Sequence, residues 1–223
     1  MPIRDDELKT LKEMILKMAS LVESAIRDSV RSLIESNAGL AQTVIENDHI
    51  VNALDVNIDE ECIRLIARRQ PMGRDLRFLT TGMKITTDLE RIADHAVNIA
   101  EKSITLMESP QIMSYSEISR MREITQMMVK DAIDSFVNED KALSVAVINR
   151  DDEVDDLNDT IIDGLLSIMT RNPDSIIQAS QLIYISRNLE RIADHSTNIA
   201  EVVIYMVEGK IVRHMGDITH LKT

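Results

Sequence analysis

The sequence predicts an all-α protein: a tandem duplication of an antiparallel three-helix bundle, six long helices in all. Three observations lead there: a helix-favouring composition, a seven-residue run that recurs 100 positions later, and breaks that cut each half into three. Aromatic residues make up only 2% of 223, Trp is missing, and Gly (6) and Pro (4) are scarce. Strand-rich folds need aromatic and β-branched residues and Gly/Pro turns. Leu, Ile, Ala, Met and Glu predominate instead, a mix that favours helices. At 44% apolar, the chain can bury a substantial core.

The repeat sets the organisation. Leu89-Glu90-Arg91-Ile92-Ala93-Asp94-His95 recurs as Leu189-Glu190-Arg191-Ile192-Ala193-Asp194-His195. Both copies continue through Asn-Ile-Ala-Glu, at Asn98–Glu101 and Asn198–Glu201. Self-similarity at a fixed interval marks a duplicated unit. The expected units are 1–109 and 110–223.

The helices follow in order. Asp5 or Asp6 can cap a first helix running to about Asn37, and a second runs from about Leu40 to Arg69, where Pro71 stops it. A third runs from near Asp75 to about Met107. Ser109-Pro110 breaks the chain, and Ser114-x-x-Glu117 has the form of a capping box for the fourth helix. Asn138-Glu139-Asp140 separates the fourth from the fifth, which ends near Arg171. Asn172-Pro173 makes a cap and first-turn pair for the sixth, which ends near Gly209. Helices of this length with short connections imply antiparallel bundles. In the sixth, Leu182, Ile185, Leu189, Ile192, Ser196, Ile199, Val203 and Met206 form an a/d stripe.

Carboxylates run beside that stripe. At 100° per residue, Glu190, Asp194 and Glu201 lie roughly 100–140° from Leu189, and Glu90, Asp94 and Glu101 repeat the pattern. Carboxylates at i and i+4 sit about 6 Å apart and repel, so the pattern favours a cation. The fifth helix carries Asp151 and Asp155 at the same spacing. Reflecting the chain about Asn172-Pro173 sets Asp151 level with Asp194, and Asp155 level with Glu190. About Pro71, Asp48 falls level with Asp94, and Asn52 with Glu90. The candidate metal ligands are therefore Asp48, Glu90, Asp94, Asp151, Asp155, Glu190 and Asp194. Asp55 or Asp59 can assist where the neutral Asn52 replaces an acid. Whether the two sides of each hairpin converge depends on the hand of the bundle. Oxygen donors suit Mg²⁺, Mn²⁺, Ca²⁺, Zn²⁺ or iron. The bland alternative is a solvated face salt-bridged by Arg91, Arg187 and Arg191.

Other features narrow the function. A net charge of −13 disfavours nucleic acid, which demands a positive surface. No run of about 18 apolar residues and no signal-peptide pattern occurs, so the expectation is a cytoplasmic chain with no membrane insertion. The single Cys62 falls at an apolar helical position and suits a reducing compartment. His95 and His195 lie about 240° round the wheel, far from the acids, which favours surface or inter-bundle packing. His49, His214 and His220 form no constellation. Arg68, Arg69, Arg74 and Arg77 crowd one hairpin tip, either complementing a helix dipole or forming a docking patch for an acidic partner or phosphate group. No phosphate loop, nucleotide fingerprint or nucleophile elbow is present, so an enzyme is not expected. The competing reading is a carboxylate-bridged metal redox or storage protein, although the Glu-x-x-His motif of ferritin-like centres is missing.

Ile58 to Pro71, then Asp75-Leu76-Arg77, then Leu89 to Glu101, resemble the PhoU family of phosphate-uptake regulators, and the duplicated acid-x-x-x-Asp motif matches Glu90/Asp94, Glu190/Asp194 and Asp151/Asp155. The resemblance spans essentially the whole chain; Asn52 departs from it. It implies two three-helix bundles with metal ions on acid-lined faces. It also implies a non-catalytic negative regulator, an adaptor between the phosphate ABC transporter ATPase and a sensor histidine kinase. Such a protein would form a homodimer and meet the inner face of the membrane through its partners.

Overall fold

Each helix begins and ends where side chains or backbone can satisfy the amides and carbonyls that its terminal turns leave unpaired. The computed structural model describes residues 4–209, so the end of the second unit, with His214 and His220, lies outside the described residues. The helices are α1 (Asp5–Ile34), α2 (Ala38–Arg69), α3 (Arg74–Met107), α4 (Ser116–Asn138), α5 (Lys141–Arg171) and α6 (Ile176–Glu208). Among the described residues there is no strand.

Several boundaries differ from the sequence reading for local reasons. Arg4, not Asp5 or Asp6, precedes α1, and Glu7 reaches back to the Arg4 amide at 3.1 Å. Asp5 and Asp6 fall inside the first turn, where negative charge suits the dipole. Asn37 caps α2 rather than ending α1, accepting from the Leu40 amide at 3.0 Å. No capping box forms at α4: Tyr115 is its cap residue, and Ser114 Oγ accepts from the Ser116 amide one step too early. Pro173 opens a short 3-10 turn, Pro173–Ser175, that leads into α6. Asp140 caps α5 through the Leu143 amide at 3.0 Å, and Gly209 closes α6 at φ +71°, a conformation glycine adopts without strain.

α1, α2 and α3 pack on one another, as do α4, α5 and α6; α3 on α6 and α1 on α4 join the two sets. All eight stripe residues of α6 are buried, and one apolar core runs through both bundles. The only two Phe residues stack across the join, Phe78 on Phe136, with ring centroids 5.0 Å apart. Lys12 lies over the Phe78 ring and donates to the Val137 carbonyl at 3.0 Å.

The hairpin-tip arginines fasten this end of the molecule. Arg69 is buried against Glu7, with Nη2 to Oε1 at 2.8 Å. Arg74 pairs with Glu139, and Arg77 Nε donates to the Met206 carbonyl at 3.0 Å near the end of α6. Arg74 and Arg77 start α3, where the dipole disfavours cations, so these contacts and not the dipole account for them. Arg68 is exposed.

The Arg69 hydrogen bond holds the Glu7 carboxyl down at about 2, against the opposing effect of burial and with help from the Arg4 amide. The folded value is depressed, so this contribution is complete above the ordinary value of 4.5 and vanishes as pH falls through 4.5 towards 2. Glu7→Gln should therefore melt lower than the parent at pH 6, and the gap should close by pH 2. A gap that stays constant across a pH series of thermal melts would contradict the assignment.

Candidate metal centres

Antiparallel α5 and α6 bring their acids to the same flank. The Asp151 carboxyl is pushed up to about 7, first by burial and then by the charges of Asp155, Asp194, Asp152 and Glu190. Asp155 is raised by burial, then by Asp194 and by acids of its own helix. Glu190 is raised by burial, Asp194 and Asp155, partly offset by Arg191 and Arg187. Burial also raises Asp194, against the pull of His195, Arg191 and His95. These mutual effects place the charges of α5 and α6 within electrostatic reach of one another. No ion pair among the described residues involves Asp151, Asp155, Glu190 or Asp194, and Asp151 Oδ1 is buried with no hydrogen-bond donor in reach.

The first bundle gathers a related but different set. Burial raises Glu90, as do Asp94, Asp55 and Asp48 across the α2–α3 hairpin, while Arg91 opposes them. Arg91 lies 3.5 Å from Glu90 and 3.3 Å from Asp94, so part of the bland salt-bridged face is present here. Asn52 donates to Asp48 Oδ2 at 2.8 Å. The Oδ1 atoms of Asp48, Asp55 and Asp59 are buried without a partner. Asp55 aligns with Asn158 of α5, which bonds Ser186 at 2.7 Å; the first bundle thus carries a carboxylate where the second carries a neutral amide.

Both donor sets consist of hard oxygens, and their orphaned buried atoms require a positive partner or a proton. That chemistry fits a divalent or trivalent ion. Among the described residues, no three His, Cys, Asp or Glu side chains are already disposed around a single point that would hold one ion.

His95 and His195 stand at the α3–α6 contact, their rings 5.6 Å apart and tilted by 34°. His95 Nδ1 donates to Asn188 Oδ1 at 2.9 Å; the Asn188 amide nitrogen donates to the Tyr184 carbonyl, which fixes the direction. His195 Nδ1 lies 2.8 Å from Asp88 Oδ1. Each bond joins a histidine to the residue seven positions before its counterpart on the other helix. Sequence reasoning missed Asp88 and Asn188. The repeat interval held the signal, since 88 and 188 are equivalent positions once α3 and α6 are set antiparallel.

The model of the PhoU domain matches twice, at residues 15–103 and 118–203. The chain is 42% identical over 213 residues to the phosphate-specific transport system accessory protein PhoU homolog of Pseudomonas putida, covering 94% of this chain and 82% of that one. It is 42% identical over 208 residues to the corresponding homolog of Aquifex aeolicus, covering 93% and 94%. The crystal structure of PhoU from Pseudomonas aeruginosa superposes with a TM-score of 0.89 at 40% identity, covering 92% of this chain and 99% of that one. The phosphate transport system regulatory protein PhoU from Streptococcus pneumoniae superposes at 0.87 with 27% identity, covering 93% and 98%.

Proposed function

The chain belongs to the PhoU family, and from that premise we propose that it is a non-catalytic accessory regulator of phosphate-specific transport. In this reading it restrains the phosphate ABC transporter and a sensor histidine kinase while phosphate is plentiful. It acts from the cytoplasm as a homodimer, meeting the membrane only through those partners. Consistent with that, no helix among the described residues is long and apolar enough to cross a membrane.

The metal part is supported by Asp151, whose Oδ1 is buried without a partner and whose carboxyl feels the charges of Asp155, Asp194 and Glu190. These four would hold a cation such as Fe, Mn, Mg or Zn in the second bundle. Asp48, Glu90 and Asp94 would hold one in the first, with Asp55 or Asp59 supplying the charge that Asn52 lacks. A bound ion would supply positive charge to neutralise each acid face. The chain's own part is to present the acids from two rigid helices, so that the loaded and empty faces differ in charge. Arg68 and Arg74 remain candidates for a docking patch, because their side chains are largely exposed.

Deleting the gene should derepress phosphate-starvation genes in phosphate-rich medium, read by reporter expression; unchanged expression would refute the regulatory role. Within the protein, Asn52→Asp should raise first-bundle metal affinity by on the order of tenfold, because ligand charge tunes cation affinity. The same change should lower the melting temperature in chelator, since it replaces the 2.8 Å bond to Asp48 with repulsion. Calorimetric titration with Mn²⁺ reads the first effect, and equal affinities would count against Asp48 as a ligand.

A further inference from the structure

α2 packs its inner face on α1 and α3 and carries a second seam on the opposite side. His49, Ala53, Val56, Glu60, Ile63 and Ala67 follow alternating four- and three-residue steps, the spacing of a coiled-coil a/d line, and all six are exposed. Val56 is 55% exposed and Ile63 57%. Single exposed apolar residues are ordinary, but the duplication supplies an internal control. Aligning the buried Val51, Ile58 and Cys62 of α2 with Val154, Ile161 and Leu165 of α5 gives the equivalent outer positions in α5. These are Asp152, Asp156, Asp159, Asp163, Leu166 and Thr170, also all exposed. α5 has acids at four of the six places; α2 has Ala53 and Val56 where Asp156 and Asp159 stand, His49 in place of Asp152, and a single acid, Glu60.

We propose that the outer face of α2 is the docking seam for one helix of a partner protein, amphipathic and basic. The a/d spacing selects a helix, and the small Ala53 and Ala67 allow its close approach. The seam from His49 to Ala67 is about 27 Å long, which matches a partner helix of roughly 19 residues. Charge selects a basic one. Glu60 sits in the middle of the seam and must meet a cation when water is excluded. Arg64, one turn from Glu60, is already paired with Glu61, and the whole chain carries −13. A second copy of this chain would bring its own Glu60 to the same seam. The seam and its occupant do not depend on the metal centres.

The probe is a synthetic 21-residue helical peptide with Leu and Ala at its a/d positions, Arg at the central one, and Lys on its flanks. Fluorescence anisotropy with the full chain at physiological salt should give saturable binding. Val56→Asp, which puts in α2 the acid that α5 has at Asp159, combined with Ile63→Asp, which removes the other large apolar residue of the seam, should weaken that binding at least tenfold while the circular dichroism stays unchanged. Glu60→Lys should likewise weaken the Arg peptide and gain binding to a peptide with Glu in the central place. Absence of saturable binding, equal binding by the double variant, or indifference to the charge exchange would each overturn the proposal. So would sedimentation showing that the double variant turns an oligomer into a monomer, because the seam would then belong to a second copy.

Discussion

Asp151→Asn, Asp155→Asn and Asp194→Asn together should strip the second bundle of its metal, leave the first able to load, and make the metal-free protein more stable at neutral pH. The substitutions remove three of the four candidate ligands on α5 and α6, hence the loss of metal. The gain in stability follows from Asp151, whose carboxyl stands at about 7 in the fold against an ordinary 3.8. A raised value means the native state holds a proton that the unfolded chain has released. Stability of the metal-free parent should therefore fall as pH rises from about 4 to about 7, and the variant should lack that slope. Asp151 is partly exposed, so after solvent screening the gain at pH 7 is about 1–2 kcal/mol. Elemental analysis of purified protein and melts in chelator between pH 4 and 8 test both halves. Equal metal content would refute the ligand assignment; parallel melting curves would refute the electrostatic one.

Phe136→Ala should be the most damaging single apolar truncation at the join between bundles. Its ring is fully buried and stacks on Phe78. Removing it leaves a cavity beside α1, α3 and α4 that rigid helices cannot collapse to fill. The expected cost is about 3–5 kcal/mol, or a fall in Tm of roughly 10 °C for a chain this long. Leu166→Ala, on an exposed face, should change Tm little. Similar shifts for the two variants would mean that the aromatic pair is not what secures the join.

The helices were legible because they depend on local spacing. Pro71 and Asn172-Pro173 act within a few residues of where they sit, and the 100° advance per residue places Glu190, Asp194 and Asp151 without tertiary knowledge. Cap details were less legible. Arg4 displaces the better-suited Asp5 because Glu7 is drawn back by Arg69, a residue 62 positions away. Which flank of each hairpin the acids share was not legible at all, since the hand of a three-helix bundle depends on how its loops and core pack together. The roles of Arg74 and Arg77 also lay out of reach, because Glu139 and the end of α6 meet them only when the second bundle docks on the first.

The α3–α6 contact, with one histidine from each half and Asp88 and Asn188 at equivalent places, is the kind of interface by which two identical subunits pair about a dyad. Here the segment between Met107 and Ser116 tethers the two halves, so each meets the other at a local concentration fixed by a short leash and not by expression level. Covalent fusion also frees the halves from having to be identical. Asp88 against Asn188 and Asp55 against Asn158 are divergences that a true dimer of single units could not hold.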